Sequence, residues 1–174
     1  MPRGVSEDAP AIELIEISRD LTVDPGDAFA IFTDGMRTWW PSEATWSGAG
    51  LESIDIEPFV GGFCHERGPH GLRLDWGRVT AWEPASRLAF AWLIGADRTP
   101  EPNPAHASEV EIRFAAAGSG STVTVTHRGF ERHHGDAGVY REAMASPAGW
   151  PMLLDRYMAV VVRRTEAPWE GLTT

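Results

Sequence analysis

The longest amphipathic stripe in the chain lies near its end, in GWPMLLDRYMAVVVRR from Gly149 to Arg164. At 100° per residue, Trp150, Leu153, Leu154, Tyr157, Met158, Val160 and Val161 fall within one arc of about 160°. Asp155, Arg156 and Arg163 fall outside it. Pro151 sits in the first turn, where a backbone donor is spare, and Arg163 and Arg164 suit the negative end of the helix dipole. The spacing therefore predicts a helix of about 25 Å with one side to bury. Upstream, β-branched residues from Ile12 to Val23 predict a strand. Ile12 and Leu14 share one phase, and Ile15, Ile17, Leu21 and Val23 the other, so the strand carries a bulge or starts at Leu14.

Asp24-Pro25 opens a helix as N-cap and first helical residue, with Ala28, Phe29, Ile31 and Phe32 on its buried side. Gly35 ends it, Met36 to Trp40 adds a turn before Pro41, and Pro41 to Gly50 is a loop carrying Trp46. Short strands follow at Leu51 to Glu57, Phe63 to Arg67, Leu72 to Trp82 and Arg87 to Ile94, the last two flanking the turn Glu83 to Ser86. Three prolines make Asp97 to Ala107 a loop. Ser108 to Ala115 alternates, with Val110, Ile112 and Phe114 against Glu109, Glu111 and Arg113, so one face is buried and one wet. Gly118-Ser119-Gly120 turns the chain into Thr122 to His127. A polar run reaches Gly138, and Val139 to Ala145 forms a short helix ahead of the long one. Strand, helix pair, six strands and long helix make an α+β plan. In it a curved antiparallel sheet wraps around the C-terminal helix, with two short helices after the first strand. One domain spans 11–165, and 1–10 and 166–174 are flexible tails.

Composition narrows the chemistry. The chain of 174 residues carries a net charge of -10, and all its basic residues are arginines. That balance argues against nucleic acid and anionic membranes as partners, since both reward clustered positive charge. The single cysteine, Cys64, rules out an internal disulfide and fits a reducing compartment. The opening MPRGVSEDAPA has no apolar core of signal-peptide length, and no segment is apolar for long enough to span a bilayer. A soluble, cytoplasmic protein is the expectation. Eight tryptophans are more large rings than a core of this size needs, which points to a pocket.

The candidate pocket set is Trp39, Trp40, Trp76, Trp92, Trp150 and Tyr157, supplied by one sheet face and one helix face. By alternation Trp76, Arg78, Thr80 and Trp82 share a strand face. Facing inward, Arg78 would clamp a carboxylate or stack on indole; facing outward, it is an ordinary surface arginine. Phe63, Phe90 and Leu154 complete the candidate ligand-binding residues. The histidines, His65, His70, His106, His127, His133 and His134, form no HExxH and no paired-ligand spacing, so no metal, cofactor or catalytic residue is assigned. His133 and His134 read as neighbours in a solvated loop, and His127 as a hydrogen-bonded residue at a strand end. Glu66 and Asp75 would act as acid or base only if buried beside a ligand. Cys64 reads as a small wall residue, and no GxSxG or phosphate-loop signature is present.

Several stretches, in order, resemble one family. DLTVDPGDAFAIFTDGMRTWWP is similar to the opening of the START-like, helix-grip (SRPBCC) superfamily, in the branch named after the activator of the ninety-kilodalton heat-shock protein's ATPase. EPFVGGF resembles its Gly-Gly strand start, WGRVTAWEPASRLAFAW its paired strands around a Pro turn, STVTVTHRGF its Thr-rich strand, and GWPMLLDRYM its final helix. Family members often carry an aromatic where Cys64 stands here, which leaves the facing of that strand open. The resemblance implies a curved sheet gripping the long helix over a cavity that holds an apolar ligand in many relatives. The superfamily includes lipid carriers, receptors, cyclases and co-chaperone domains linked to stress response, so fold alone does not fix the function. The expectation is a carrier or sensor for a small apolar or aromatic molecule rather than an enzyme. A cyclase or dehydratase using the same cavity, or a co-chaperone-like module that binds a chaperone or another protein, are the alternatives.

Overall fold

The computed structural model describes residues 11–166. Seven strands form one sheet in the order β1-β7-β6-β5-β4-β3-β2, every pair antiparallel. They are β1 (Ile15–Leu21), β2 (Ser53–Ile56), β3 (Phe63–Arg67), β4 (Arg73–Glu83), β5 (Arg87–Trp92), β6 (Ser108–Ala117) and β7 (Gly120–Arg128). The first strand thus closes against the last, and the sheet curls into a half-barrel. Helices α1 (Pro25–Thr33) and α2 (Met36–Trp39) follow β1, and α3 (Ala137–Ala145) and α4 (Trp150–Glu166) end the described chain. This is the helix-grip plan implied by the sequence. Of the expected tails, 1–10 and 167–174 lie outside the described residues.

Local chemistry accounts for the element boundaries. The Asp24 carboxylate accepts the Asp27 N–H at 2.9 Å, a cap worth about 1 kcal/mol, and Asp136 does the same for Val139 at the start of α3. Gly149 separates α3 from α4 because nothing larger fits: a Cβ there would lie 2.2 Å from the Met144 carbonyl oxygen. The α4 stripe behaves as its period requires, burying Trp150, Leu153, Leu154, Tyr157, Val160 and Val161. The Tyr157 hydroxyl donates to the Ala28 carbonyl at 2.7 Å, tying α4 to α1. On β6, Val110, Ile112 and Phe114 are buried as the alternation demands. Glu111, on the other face, is also largely covered, because the Arg87 and Arg113 guanidiniums each bond its carboxylate at 2.7 Å.

Three local expectations need correction. The first strand starts at Ile15, one residue later than the phase change suggested, and leaves Leu14 exposed. The hairpin between β6 and β7 has only Gly118-Ser119 outside the strands, with Gly118 in the left-handed region at φ 55°. On β4 the alternation does not hold, because pairing shifts register twice, between Cys64 and His65 against β3 and between Val79 and Ala81 against β5. Each bulge resets the side-chain phase. Trp76 and Trp82 therefore both reach the core, Trp82 lying edge-on to Phe29 at 5.2 Å, while Arg78 and Thr80 between them are exposed. The facing of β3 is settled as well: Cys64 is completely buried, and Phe63 turns outward beneath Arg78, whose guanidinium stands 4.4 Å from the ring centroid.

Candidate functional site

At one end of the half-barrel an open cavity of about 410 Å³ lies between four pieces of chain. Trp40, Glu43 and Ala44 come from the segment after α2, and Trp92, Ile94, Gly95, Ala96 and Arg98 from the end of β5 and its loop. Tyr140, Ala143 and Met144 come from α3, Gly149 from the turn before α4, and Met152 and Leu153 from the start of α4. Its walls are mainly apolar, and two indoles, Trp40 and Trp92, stand 6.4 Å apart at its inner side. The Trp92 Nε1–H donates to the Tyr140 hydroxyl at 2.8 Å, and that hydroxyl donates to the Ile94 carbonyl at 2.6 Å. This chain of bonds pins α3 across the end of β5 and gives the cavity its shape. Burial pushes the Tyr140 phenol up to about 12, so the hydroxyl stays protonated at neutral pH.

Charge is confined to the rim. Glu43 bonds Arg156 of α4 at 2.6 Å, and its carboxyl is held below the usual range by a backbone N–H and by that arginine. The Arg98 carbonyl accepts the Trp46 indole N–H at 2.8 Å, joining the loop after β5 to the loop after α2. Beneath Trp40 lies a second void of only about 10 Å³, bounded by Trp46, Ile54, Glu66 and Trp76 and sharing Trp40, Ala44 and Ile94 with the larger one. Trp76 stacks on Trp40 at 5.6 Å, and its buried indole N–H has no hydrogen-bond partner among the described residues. Glu66, fully buried, accepts the N–H groups of Trp46 and Ser47 and the Ser47 hydroxyl. It holds that loop in place rather than facing the cavity.

The ten residues expected to contact a ligand thus divide into three groups. Trp40 and Trp92 line the cavity, and Trp76 lies directly behind Trp40. Trp39, Phe90, Trp150, Leu154 and Tyr157 are packed in the core: Phe90 lies edge-on to Trp76, and Trp39 contacts Phe32, Trp40 and Tyr157. Phe63 and Arg78 sit together on the outer side of the sheet. Sequence reading missed Ile94, Tyr140, Met144, Met152 and Leu153 as cavity residues. The signal for three of the wall positions was present, because Tyr140, Ala143 and Met144 fall at i, i+3 and i+4 on one side of α3.

Behind Trp92 runs a buried polar relay. The Trp150 Nε1–H donates to His127 Nδ1 at 3.0 Å, so the His127 proton sits on Nε2 and points to the Ser108 hydroxyl at 2.7 Å. Ser108 in turn contacts His133 Nε2 at 2.8 Å, and its own backbone N–H donates to the same nitrogen at 3.1 Å. His127 is therefore hydrogen-bonded as expected. His133 is buried rather than solvated, held in place by Ser108, while His134 is exposed. Burial, with the neighbouring His133, lowers the His127 imidazole to about 3. An unfolded histidine titrates near 6.5, so between these values the unfolded chain binds a proton that the folded chain refuses. The stability this provides is complete above pH 6.5 and is lost as pH falls. Urea midpoints should drop between pH 7 and 5 by the equivalent of about 2 kcal/mol from this group. His127→Gln should be less stable at pH 7 but show a pH slope shallower by nearly one proton; an unchanged slope would assign the acid sensitivity elsewhere.

Comparison with known proteins agrees with the architecture. Residues 22–161 match the family model described as Activator of Hsp90 ATPase homolog 1-like protein. No curated protein matches the chain in sequence. Among solved structures, the chain is similar to an anthrahydroquino-gamma-pyrone synthase, Txn09, complexed with SUM. The two are 30% identical with a TM-score of 0.61, over 86% of this chain and 97% of that one. It is also similar in fold to CalC, a self-sacrificing resistance protein from Micromonospora echinospora, at 22% identity and a TM-score of 0.64, over 88% of this chain and 96% of that one. The Aha1 dimer from Colwellia psychrerythraea is similar in fold at 15% identity and a TM-score of 0.58, over 86% and 95%.

Proposed function

Starting from the fact that the chain belongs to the family of Activator of Hsp90 ATPase homolog 1-like proteins, we propose that it binds a flat apolar or aromatic small molecule in the cavity beside Trp40 and Trp92. The observation that carries this reading is an open, mainly apolar cavity of about 410 Å³ walled by two indoles. Such walls reward apolar area at about 25 cal/mol per Å² and favour stacked rings. A highly charged ligand would lose hydration that the inner walls do not replace, since Glu43 and Arg98 are at the exposed rim. The role is that of a carrier or sensor. No helix among the described residues is long and apolar enough to cross a membrane.

The test is a panel of flat apolar and aromatic probes, read by tryptophan emission and melting temperature. Saturable quenching is expected, with stabilisation of about 2.7 kcal/mol at a hundredfold excess over Kd. A panel without any saturable response would reject the reading.

The 30% identical synthase favours a second reading, an enzyme of the cyclase type working in the same cavity. Among the cavity residues the titratable side chains are Glu43, Arg98 and Tyr140. Tyr140 stays protonated and is engaged on both sides, and Glu43 stays ionised at the rim, so proton transfer would fall to Glu43 as a base. Liquid chromatography with mass spectrometry of a bound probe after long incubation separates the readings: recovered with unchanged retention and mass, the probe is cargo; recovered with a changed mass, or at the same mass with a new retention time, it is a substrate.

A further inference from the structure

The β5–β6 loop and the segment after β7 bring three metal-ligating side chains together at a point the cavity does not include. Glu101, His106 and His134 each present one ligand atom, and the three atoms lie within 4.8 Å of one another. Glu101 Oε2 is the common vertex, 3.6 Å from His106 Nδ1 and 3.9 Å from His134 Nε2, and the two imidazole rings are 4.9 Å apart. The two oxygen–nitrogen separations are too long for hydrogen bonds and somewhat longer than the edge of a zinc tetrahedron, about 3.3 Å for ligand bonds near 2.0 Å.

The surroundings hold each ligand. Glu101 Oε1 accepts the Asn103 N–H at 2.8 Å, which leaves Oε2 turned to the imidazoles. Asn103 Oδ1 accepts the Ala105 N–H at 3.0 Å, capping the short turn Pro104–His106 that carries His106. The Glu101 N–H is itself bonded to the Leu93 carbonyl at 2.9 Å. His134 follows directly on His133, whose ring is fixed by Ser108. Oriented partners of this kind are what metal ligands require beyond their own atoms.

We propose that Glu101, His106 and His134 form a binding site for a divalent transition metal, zinc by ligand type. Two imidazole nitrogens and one carboxylate oxygen supply three positions, and the fourth faces solvent on the side of the exposed His134. The net charge of -10 favours a cation. A bound metal ties the β5–β6 loop, one wall of the cavity, to the segment that leads into α3, another wall.

The test is calorimetric titration of zinc into the full chain after chelator treatment, repeated on His106→Gln, His134→Gln and, as a control, the exposed His70→Gln. One equivalent should bind the native chain and the control alike, with affinity falling at least about tenfold in each of the other two variants. Cobalt(II) should give the visible absorption of a tetrahedral site in the native chain and lose it in both. Unsaturable uptake by the native chain, or uptake unchanged in His106→Gln and His134→Gln, overturns the proposal. Should one variant fail to fold, the other decides.

Discussion

A chain ended after Gly149 is expected to show no cooperative unfolding transition by heat or urea. Helix α4 buries six side chains against the sheet and α1, among them Trp150 and Tyr157, which are completely enclosed. Losing one buried Leu side chain to Ala costs about 2 to 5 kcal/mol, against a total stability of about 5 to 15 kcal/mol for a domain. Truncation removes all six at once. It also leaves the Ala28 carbonyl without the Tyr157 hydroxyl and His127 Nδ1 without the Trp150 N–H, both in the interior. The loss therefore exceeds what the remaining sheet can withstand. Circular dichroism of the truncated chain should show a broad, non-cooperative melt; a single sharp transition would mean the core lies elsewhere.

The second large effect is expected at the cavity. Ala143→Trp places an indole on the cavity side of α3, where the native side chain is exposed and packs little. The fold should keep a near-native melting temperature, while apolar probes lose at least about tenfold in affinity, or about 1.4 kcal/mol, because the space they need is filled. This variant isolates the cavity better than Trp92→Leu does. Trp92 also donates to Tyr140 and packs 5.7 Å from Trp150, so its loss disturbs the core together with the site. Native-like probe binding by Ala143→Trp would place the ligand elsewhere.

Much of this architecture is written in local chemistry. The α4 stripe, the Asp24 cap, the alternation of β6 and the serial family motifs each report one element, and each element forms where those signals stand. Facing on β4 was not legible, because the two bulges depend on how β3 and β5 pair with it and leave no mark in its own alternation. For that reason Arg78 and Trp76, two residues apart, end on opposite sides. The open cavity lies nearer the surface than most of the ring set singled out by the sequence. Rings such as Trp150 and Tyr157 meet other rings and spend their polar atoms on His127 and Ala28, so they fill space. Trp40 and Trp92 instead stand where α3 and the β5–β6 loop leave room, and loop placement is a tertiary outcome. The Glu101, His106 and His134 grouping escaped for the same reason: its members are dispersed in sequence and are joined by two loops.

The most direct test of the ligand reading is a set of ¹H–¹⁵N spectra of the indole and backbone N–H groups during titration with a flat apolar probe. The Trp92 N–H, bonded to Tyr140 at the cavity wall, and that of Trp40 should shift saturably, and that of Trp150, bonded to His127 in the packed interior, should stay in place. Trp92 and Trp40 resonances that remain fixed while the probe binds, with shifts confined to outward-facing residues such as Phe59 and Val60, would contradict the account and favour a protein-binding surface.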